Sequence, residues 1–250
     1  MKKDISAEID KRAEWIEKIL AESGAKGIVY GNSGGKDCTL VGALCRRACE
    51  NVTGVVMPCN SSVNYTTDRD DALAAGKKFG IPQIEVDLSD VKNAFAGALH
   101  GALSAEDATE SGVSAALVNI NPRLRMTALY AIAQARGCLV AGTGNLCEYT
   151  MGYFTKWGDG AYDFNPIADL TVPEIYEMLE YLGAPEHIVS KAPSAGLYEG
   201  QTDEKEMGVT YAEITAYIRG ESLPPDRRAA IAEREARTAH KRRPPARYGI

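Results

Sequence analysis

The sequence lacks the paired cysteines and histidines from which zinc sites are built. Its cysteines form no Cys-x-x-Cys pair, and its three histidines lie far from them. We therefore expect reduced thiols in a cytoplasmic protein, several of them buried in the core. The six cysteines are Cys38, Cys45, Cys49, Cys59, Cys138 and Cys147.

Long apolar segments and an excess of positive charge are also missing. No apolar run approaches the roughly 20 residues that span a bilayer. The first residues carry mixed charges instead of an apolar stretch, so we expect no signal peptide. The net charge of -6 does not favour a nucleic acid as partner. We predict a cytoplasmic protein that binds neither membrane nor nucleic acid.

The chain has the composition and element order of an α/β protein. Hydrophobic residues make up 45% and charged residues 25% of its 250 residues, which suffices for a full core. Apolar strands are predicted near residues 27–30, 52–57, 84–87 and 138–141, and helical patterns separate them. The fold class is therefore α/β, with a doubly wound, mostly parallel sheet that carries helices on both faces. No repeat or linker divides it, so we treat residues 1–250 as a single domain.

Several helix boundaries are marked by individual residues. Gly24 ends a helix that starts near Ile5, and Gly137 ends another. Pro122 predicts that this second helix either starts there, with Asn121 as its cap, or kinks there. Residues 104–113 are predicted to be a mobile connection, and residues 225–241 a final helix. Thr171-x-x-Glu174 and Thr210-x-x-Glu213 are typical capping boxes.

Two loops with glycines follow predicted strands, at residues 31–38 and 142–145. In a parallel sheet both lie at the carboxyl edge, where ligands bind. The first is followed by a helix, so its backbone N–H groups and the helix dipole favour phosphate. Asp37 cannot usefully contact phosphate and is predicted to hold Mg²⁺. The alternative is an ordinary strand-to-helix turn, because this loop is neither a Walker A loop nor Gly-x-Gly-x-x-Gly.

The first loop resembles the Ser-Gly-Gly-x-Asp-Ser pyrophosphate loop of the N-type ATP pyrophosphatases. The resemblance implies the adenine nucleotide alpha hydrolase-like fold and cleavage of ATP between its α and β phosphates. Cys38 departs from this pattern, because the family usually has serine there and a thiol is a poorer donor. The matching run is Ser33-Gly34-Gly35-Lys36-Asp37-Cys38.

Further segments resemble the ammonia-dependent NAD synthetases within that group, in the same order along the chain. The resemblance implies a ligase that amidates deamido-NAD with ammonia and ATP. The products are NAD, AMP and pyrophosphate, formed through an adenylylated intermediate. The segments are residues 119–126, 142–148, 152–160, 192–197, 201–204 and 240–242.

The resemblance also implies roles for single residues. Asp37 and Glu148 are implied to be catalytic and to bind Mg²⁺ as the cofactor. ATP would contact Gly31, Asn32, Ser33, Gly34, Gly35, Lys36, Asp37, Cys38, Met57, Thr143 and Ser194. Deamido-NAD would contact Arg123, Lys156, Asp163, His240 and Lys241. Arg125 is expected to be a solvated arginine. Val172 departs from the family, which commonly has an ATP-binding lysine there.

Two other functions stay open. A tRNA-modifying ATP pyrophosphatase would predict a basic surface and cysteine pairs, which the composition disfavours. A nucleotide-binding regulatory module without catalysis is supported by Cys38 and Val172 alone. The resemblance further implies a homodimer that uses free ammonia, since we find no second domain of the kind that hydrolyses glutamine.

Overall fold

The computed structural model describes residues 4–59, 67–104, 108–191 and 203–249. Within these ranges a parallel four-stranded sheet has the order β3-β2-β1-β4. The strands are β1 (Ile28–Gly31), β2 (Val52–Val56), β3 (Gln83–Glu85) and β4 (Leu139–Ala141). Ile28 of β1 is paired with Val52 on one side and with Leu139 on the other. The predicted doubly wound α/β sheet is confirmed.

Eleven α-helices are described in these parts of the chain. The first five are α1 (Ile5–Ser23), α2 (Lys36–Ala48), α3 (Thr67–Phe79), α4 (Ser89–Leu103) and α5 (Glu110–Arg136). The others are α6 (Leu146–Met151), α7 (Val172–Tyr181), α8 (Glu186–Val189), α9 (Asp203–Met207), α10 (Tyr211–Ile218) and α11 (Pro225–Arg237), and a 3₁₀ turn, Ala239–Lys241, follows. No helix in the described ranges is long and apolar enough to span a membrane.

Side chains that alternate along the strands cover both faces of the sheet. Ile28 and Tyr30 pack into one cluster with apolar residues of α1, α2 and α7. Val29 lies between them in sequence and packs into a second cluster, together with Val140 of β4 and Ala133 of α5. Because successive strand side chains point to opposite faces, helices on both sides can bury the sheet. Burial on both faces explains why the strands appear in the sequence as short apolar runs.

A third apolar cluster joins the C-terminal helices to the loop region after β4. It contains Cys147 and Met151 of α6, Val172 of α7, and Tyr211 and Ile214 of α10. Ile231 of α11 is fully buried in the same cluster. The C-terminal third therefore packs beside the carboxyl edge of the sheet.

Capping residues mark the helix ends as predicted. Glu174 accepts a hydrogen bond from the Thr171 N–H at 2.9 Å, and both halves of this capping box are present. The box formed by Thr210 and Glu213 is also present. Gly24 adopts φ +68° after α1, the left-handed conformation that glycine accepts without strain. Local chemistry thus fixes these boundaries without help from distant residues.

One of the two alternatives predicted at Pro122 is excluded, and the predicted end of the final helix was wrong. Pro122 lies inside the 27-residue helix α5, so the helix does not start there and Asn121 is not its cap. Asn121 and Pro122 are both buried there, and Pro122 packs closely against Gly158. This packing offsets the cost of a proline inside a helix. The final helix ends at Arg237, and Lys241 belongs to the 3₁₀ turn.

The predicted connection at residues 104–113 is partly helical. Helix α5 begins at Glu110, and the Thr109 hydroxyl caps it by accepting a hydrogen bond from the Gly112 N–H at 3.1 Å. Residues 105–107 lie outside the described residues.

The strand order creates a crevice between β1 and β4. From β1 the chain continues to β2 and β3 on one side, and it returns on the other side to form β4. The loops after β1 and β4 therefore diverge from adjacent strands. In open α/β sheets such a switch point is where ligands bind.

Candidate active site

The loop after β1 is held in shape by the buried side chain of Asn32. Its amide nitrogen donates to the Ala72 carbonyl at 3.0 Å and to Gln83 Oε1 at 2.9 Å. Its Oδ1 accepts the Gly34 N–H at 3.1 Å. Asn32 thereby ties the loop to α3 and β3, which sets the direction in which the N-terminus of α2 points.

Gly34 is required by both its conformation and its surroundings. It adopts φ +75°, and a Cβ atom there would lie 2.4 Å from the Asp68 carbonyl oxygen. The loop therefore lies too close to α3 to admit any side chain at this position. The helix that follows starts at Lys36 and leaves its first N–H groups available to an anion.

Cys38 faces into the loop and is almost fully buried, at 3% exposure. Its thiol lies 3.1 Å from the Gly35 carbonyl, 3.3 Å from Asn32 Oδ1 and 3.3 Å from the Ser33 hydroxyl. Burial raises the pKa of the thiol above its ordinary value. Cys38 is thus a protonated thiol that bonds to the loop itself.

The loop after β4 ends in Asn145, which caps α6 and also contacts the first loop. The Asn145 side chain accepts the Glu148 N–H at 3.0 Å, and Glu148 Oε2 accepts the Asn145 N–H at 2.9 Å. The Asn145 amide nitrogen also donates to Asp37 Oδ1 at 3.1 Å. One fully buried asparagine therefore connects the carboxylates of Asp37 and Glu148.

The charged groups in this region lie close together and shift one another's pKa. Burial and the neighbouring charge of Asp37 raise the pKa of Glu148 well above its usual range. Lys36 is also buried, and its ammonium lies 2.8 Å from Asp37 Oδ2. Burial lowers the pKa of Lys36, but the charges of Asp37 and Glu148 outweigh it, so the net pKa is raised. The lysine is therefore a permanent cation.

A cavity of about 830 Å³ opens over both loops. It is bounded by β-strand ends, by the face of α5 near Arg125, and by the C-terminal residues Arg234, Lys241 and Arg242. The cavity is large enough for a nucleotide together with a second organic substrate. The predicted site residues that line it are Gly31, Asn32, Ser33, Gly35, Lys36, Asp37, Cys38, Met57, Thr143, Glu148 and Lys241.

A family model described as NAD synthase matches residues 8–245. The chain belongs to this family. It is similar to the NH(3)-dependent NAD(+) synthetase of Alkaliphilus oremlandii, with 39% identity over 98% of both chains. The enzyme of that name from Carboxydothermus hydrogenoformans is 44% identical over 84% of this chain and 83% of its own length. The family catalyses the ATP-dependent amidation of deamido-NAD, so its members are ligases that form a carbon–nitrogen bond.

Solved structures with the same fold carry two different names. The NMN synthetase from Francisella tularensis superposes with a TM-score of 0.90, at 33% identity over 99% of each chain. The NH3-dependent NAD synthetase from Campylobacter jejuni superposes with a TM-score of 0.78, at 28% identity over 97% of this chain and 98% of its own.

The two arginines of α5 that the sequence analysis named lie in different surroundings. Arg123 is exposed and does not line the cavity. Arg125, expected to be solvated, lines the cavity and donates from Nε to the Met57 carbonyl at 3.1 Å. Burial lowers the pKa of Arg125, although nearby acidic groups oppose this. The expectation for Arg125 was wrong.

The remaining predicted contacts of deamido-NAD lie around the C-terminal turn. Lys156 Nζ donates to the His240 carbonyl at 3.0 Å, and Lys241 Nζ donates to the carbonyls of Gly152 and Phe154 at 2.8 and 2.7 Å. Of this group only Lys241 lines the cavity. The C-terminal turn is therefore locked onto the loop after α6.

Asp163 has a structural partner. Its Oδ2 accepts the Val140 N–H at 2.7 Å, and its own N–H donates to the Val140 carbonyl at 2.9 Å. It thereby extends the pairing at the edge of β4, outside the cavity lining. The ATP-binding prediction for Ser194 lies outside the described residues.

Asn145 and Arg125 are the residues that the sequence analysis missed. Asn145 had a visible signal, because it begins a helix with Glu148 three positions on, as a capping box does. Its contact with Asp37 spans 108 positions of sequence and leaves no local pattern.

Proposed function

We propose that this chain joins ammonia to the nicotinate carboxylate of deamido-NAD, with ATP as the activating substrate. The observation that supports this most strongly is the connection of Asp37 and Glu148 through Asn145 at the switch point of the sheet. The carboxylate would attack the α-phosphorus of ATP and release pyrophosphate. Ammonia would then attack the carboxyl carbon of the mixed anhydride and release AMP, which gives NAD.

The loop after β1 would hold the phosphates that leave as pyrophosphate. Its backbone lies at the N-terminus of α2, and the exposed Ser33 hydroxyl lies 3.4 Å from the Gly35 nitrogen and 3.3 Å from the Cys38 thiol. The backbone N–H groups and this hydroxyl would bind the anion. Thr143 of the second loop lines the same cavity and would contact ATP. Met57 would lie beside the adenine, where its buried side chain joins the second core cluster.

Asp37 and Glu148 would hold Mg²⁺. Their oxygen atoms suit this ion, which is usually bound by one or two carboxylates and by substrate phosphates. Among the described residues no group of three or more acidic, cysteine or histidine side chains is arranged for a metal. Two protein carboxylates would suffice if the phosphates of ATP supply the other ligands. When bound, the ion would neutralise the charge that develops on the phosphates.

Deamido-NAD would extend from the cavity towards a second subunit. Arg125, Arg234, Lys241 and Arg242 are among the cations that line the cavity. Arg123, Lys156, Asp163 and His240 remain predicted contacts, and their position outside the cavity fits a substrate that crosses a dimer interface.

We also propose a homodimer formed through α4. This helix has no buried residue although its sequence is largely apolar. Val91 and Phe95, one turn apart, are 51% and 48% exposed. Adjacent exposed apolar side chains of this kind mark an interaction surface.

Residues 1–250 would form one domain, and free ammonia would be the nitrogen donor. Each of the six cysteines is a free thiol, which supports a cytoplasmic location.

A second candidate substrate is the mononucleotide nicotinate mononucleotide, which the same chemistry would convert to NMN. The observation that favours it is the TM-score of 0.90 with an NMN synthetase. The reacting group and the ATP site would be shared, so only the part of the site beyond the first phosphate distinguishes the two substrates.

Pyrophosphate release should be measured with ATP, Mg²⁺ and ammonium chloride, with each acid substrate in turn. We expect kcat/KM for deamido-NAD to exceed that for the mononucleotide, and Asp37→Asn to lower turnover by about 100-fold or more. A higher kcat/KM for the mononucleotide would replace our substrate with the second candidate. No pyrophosphate release with either acid would support the non-catalytic alternative, and release that requires a tRNA would support the tRNA-modifying enzyme.

A further inference from the structure

Lys36 is a buried cation at the start of a helix, where a lysine would normally extend into water. Only 5% of its surface is exposed. Its ammonium lies 2.8 Å from Asp37 Oδ2 and 5.2 Å from the centre of the Tyr211 ring. The Tyr211 hydroxyl in turn donates to Asp203 Oδ2 at 2.8 Å. The lysine is therefore held between a carboxylate and a fixed aromatic face.

The carboxylates that would bind the metal are already engaged within the protein. Asp37 Oδ1 accepts from Asn145, Asp37 Oδ2 accepts from Lys36, and Glu148 Oε2 accepts the Asn145 N–H. These are three of the four carboxylate oxygens of the pair. A divalent ion that coordinates Asp37 must displace Lys36 or Asn145 or share an oxygen with one of them.

The charge balance explains why a cation is needed at this position. Asp37 and Glu148 are partly buried and lie beside each other, so they repel each other whenever both are ionised, because water screens their charges only in part. The Lys36 ammonium, 2.8 Å from Asp37 Oδ2, offsets that repulsion. It also disfavours a second cation, because two positive charges would then share one small region.

We propose that Lys36 is the resident counter-ion of the Asp37–Glu148 pair and competes with Mg²⁺ for it. The divalent ion then binds well only together with the triphosphate, whose negative oxygens give the displaced ammonium a new partner. Lys36 thus sets the order in which metal and nucleotide enter. This inference rests on the proposed metal site.

The test is a calorimetric titration of the metal-free protein with Mn²⁺ in the absence of nucleotide. Lys36→Gln removes the charge but keeps a hydrogen-bond donor for Asp37, and Lys36→Arg keeps the charge. Lys191→Gln is the matched control, because Lys191 lines the same cavity but is paired with Asp68 and Asp71 at 2.8 and 2.6 Å.

We expect Lys36→Gln to bind Mn²⁺ about 10-fold more tightly than the parent protein, with Lys36→Arg and Lys191→Gln within about 2-fold of it. Equal or weaker binding by Lys36→Gln would overturn the inference. A gain of the same size in Lys191→Gln would also overturn it, because the effect would then come from the overall charge of the cavity.

The proposed metal site is tested separately by the dependence of turnover on Mg²⁺ in Asp37→Asn. If Asp37→Asn keeps normal Mg²⁺-dependent turnover, the metal assignment fails and the inference fails with it. If Asp37→Asn loses turnover while Lys36→Gln binds Mn²⁺ like the parent protein, only the role of Lys36 is refuted.

Discussion

At the scale of single residues, the charge on Glu148 lowers the stability of the metal-free fold, although the proposed metal site requires that charge. Glu148 is held beside Asp37 with a raised pKa, mainly because it is buried. The fold therefore prefers the protonated acid, while metal binding requires the carboxylate. The stability that goes with the raised pKa is present below the unfolded pKa of about 4.3 and is lost as the pH rises through the folded pKa.

Glu148→Gln should therefore stabilise the metal-free protein while it abolishes turnover. Glutamine keeps the capping box of α6 and removes the unfavourable charge. At pH 8 we expect a gain of about 1–2 kcal/mol, or a Tm higher by about 2–8 °C, and a smaller gain near pH 4. Thermal unfolding in EDTA across this pH range measures it. A Tm gain that is constant or that grows towards acid pH would contradict the assigned pKa direction.

Residue roles were predictable only where a motif carries them. Asp37 and Glu148 follow glycine loops with recognisable patterns, and both line the cavity. Arg123 and Arg125 lie two positions apart on one helix, so they point in different directions. Which of them faces the cavity depends on how α5 packs against the sheet, and this is a tertiary property.

At the scale of elements, the strand-end loop depends on close backbone packing. Gly34 and Gly24 have nearly the same positive φ, +75° and +68°, but differ in surroundings. A side chain at Gly34 would collide with the Asp68 carbonyl, whereas nothing lies within 4 Å of one at Gly24. Substitutions at these two glycines therefore distinguish the cost of backbone strain from the cost of a steric collision.

Gly24→Ala should cost only the strain of a left-handed alanine, about 1–2 kcal/mol, and leave the KM for ATP unchanged. Gly34→Ala adds a collision that we expect to cost about 1–3 kcal/mol more and to raise the KM for ATP by about 10-fold. Chemical denaturation and steady-state kinetics on both variants measure these effects. Equal stability and equal KM in the two variants would show that the loop has room for a side chain.

The sequence predicted the strands and most helix ends because short-range patterns determine them. Glycines at C-termini and threonine caps act within one turn of helix. The sequence left open whether α5 starts at Pro122 or continues through it, because Pro122 packs against Gly158, which lies 36 positions along the chain.

At the scale of the whole molecule, composition and element order indicated the α/β fold class and disfavoured a nucleic-acid or membrane partner. They did not indicate the oligomeric state. No sequence periodicity distinguishes an exposed apolar helix from a buried one. The exposed face of α4 became visible only once the sheet and α5 were in place.

Phe95→Glu should convert the proposed dimer into a monomer of 26.9 kDa, because a charge cannot be buried there without a partner. Tyr181→Glu is the control, since Tyr181 is 57% exposed on α7, away from that face. Light scattering after size-exclusion chromatography measures the mass of each variant. A parent protein that is already monomeric, or a Phe95→Glu variant that stays dimeric, would remove α4 from the interface.

In the proposed reaction, ATP activates the substrate carboxylate by adenylyl transfer. Deamido-NAD labelled with ¹⁸O in the nicotinate carboxylate should be converted with ATP, Mg²⁺ and ammonia, and the AMP analysed by mass spectrometry. We predict one ¹⁸O atom in the phosphate of AMP, because the oxygen that attacks the α-phosphorus leaves with it. Unlabelled AMP, or ADP with labelled inorganic phosphate, would contradict the mechanism.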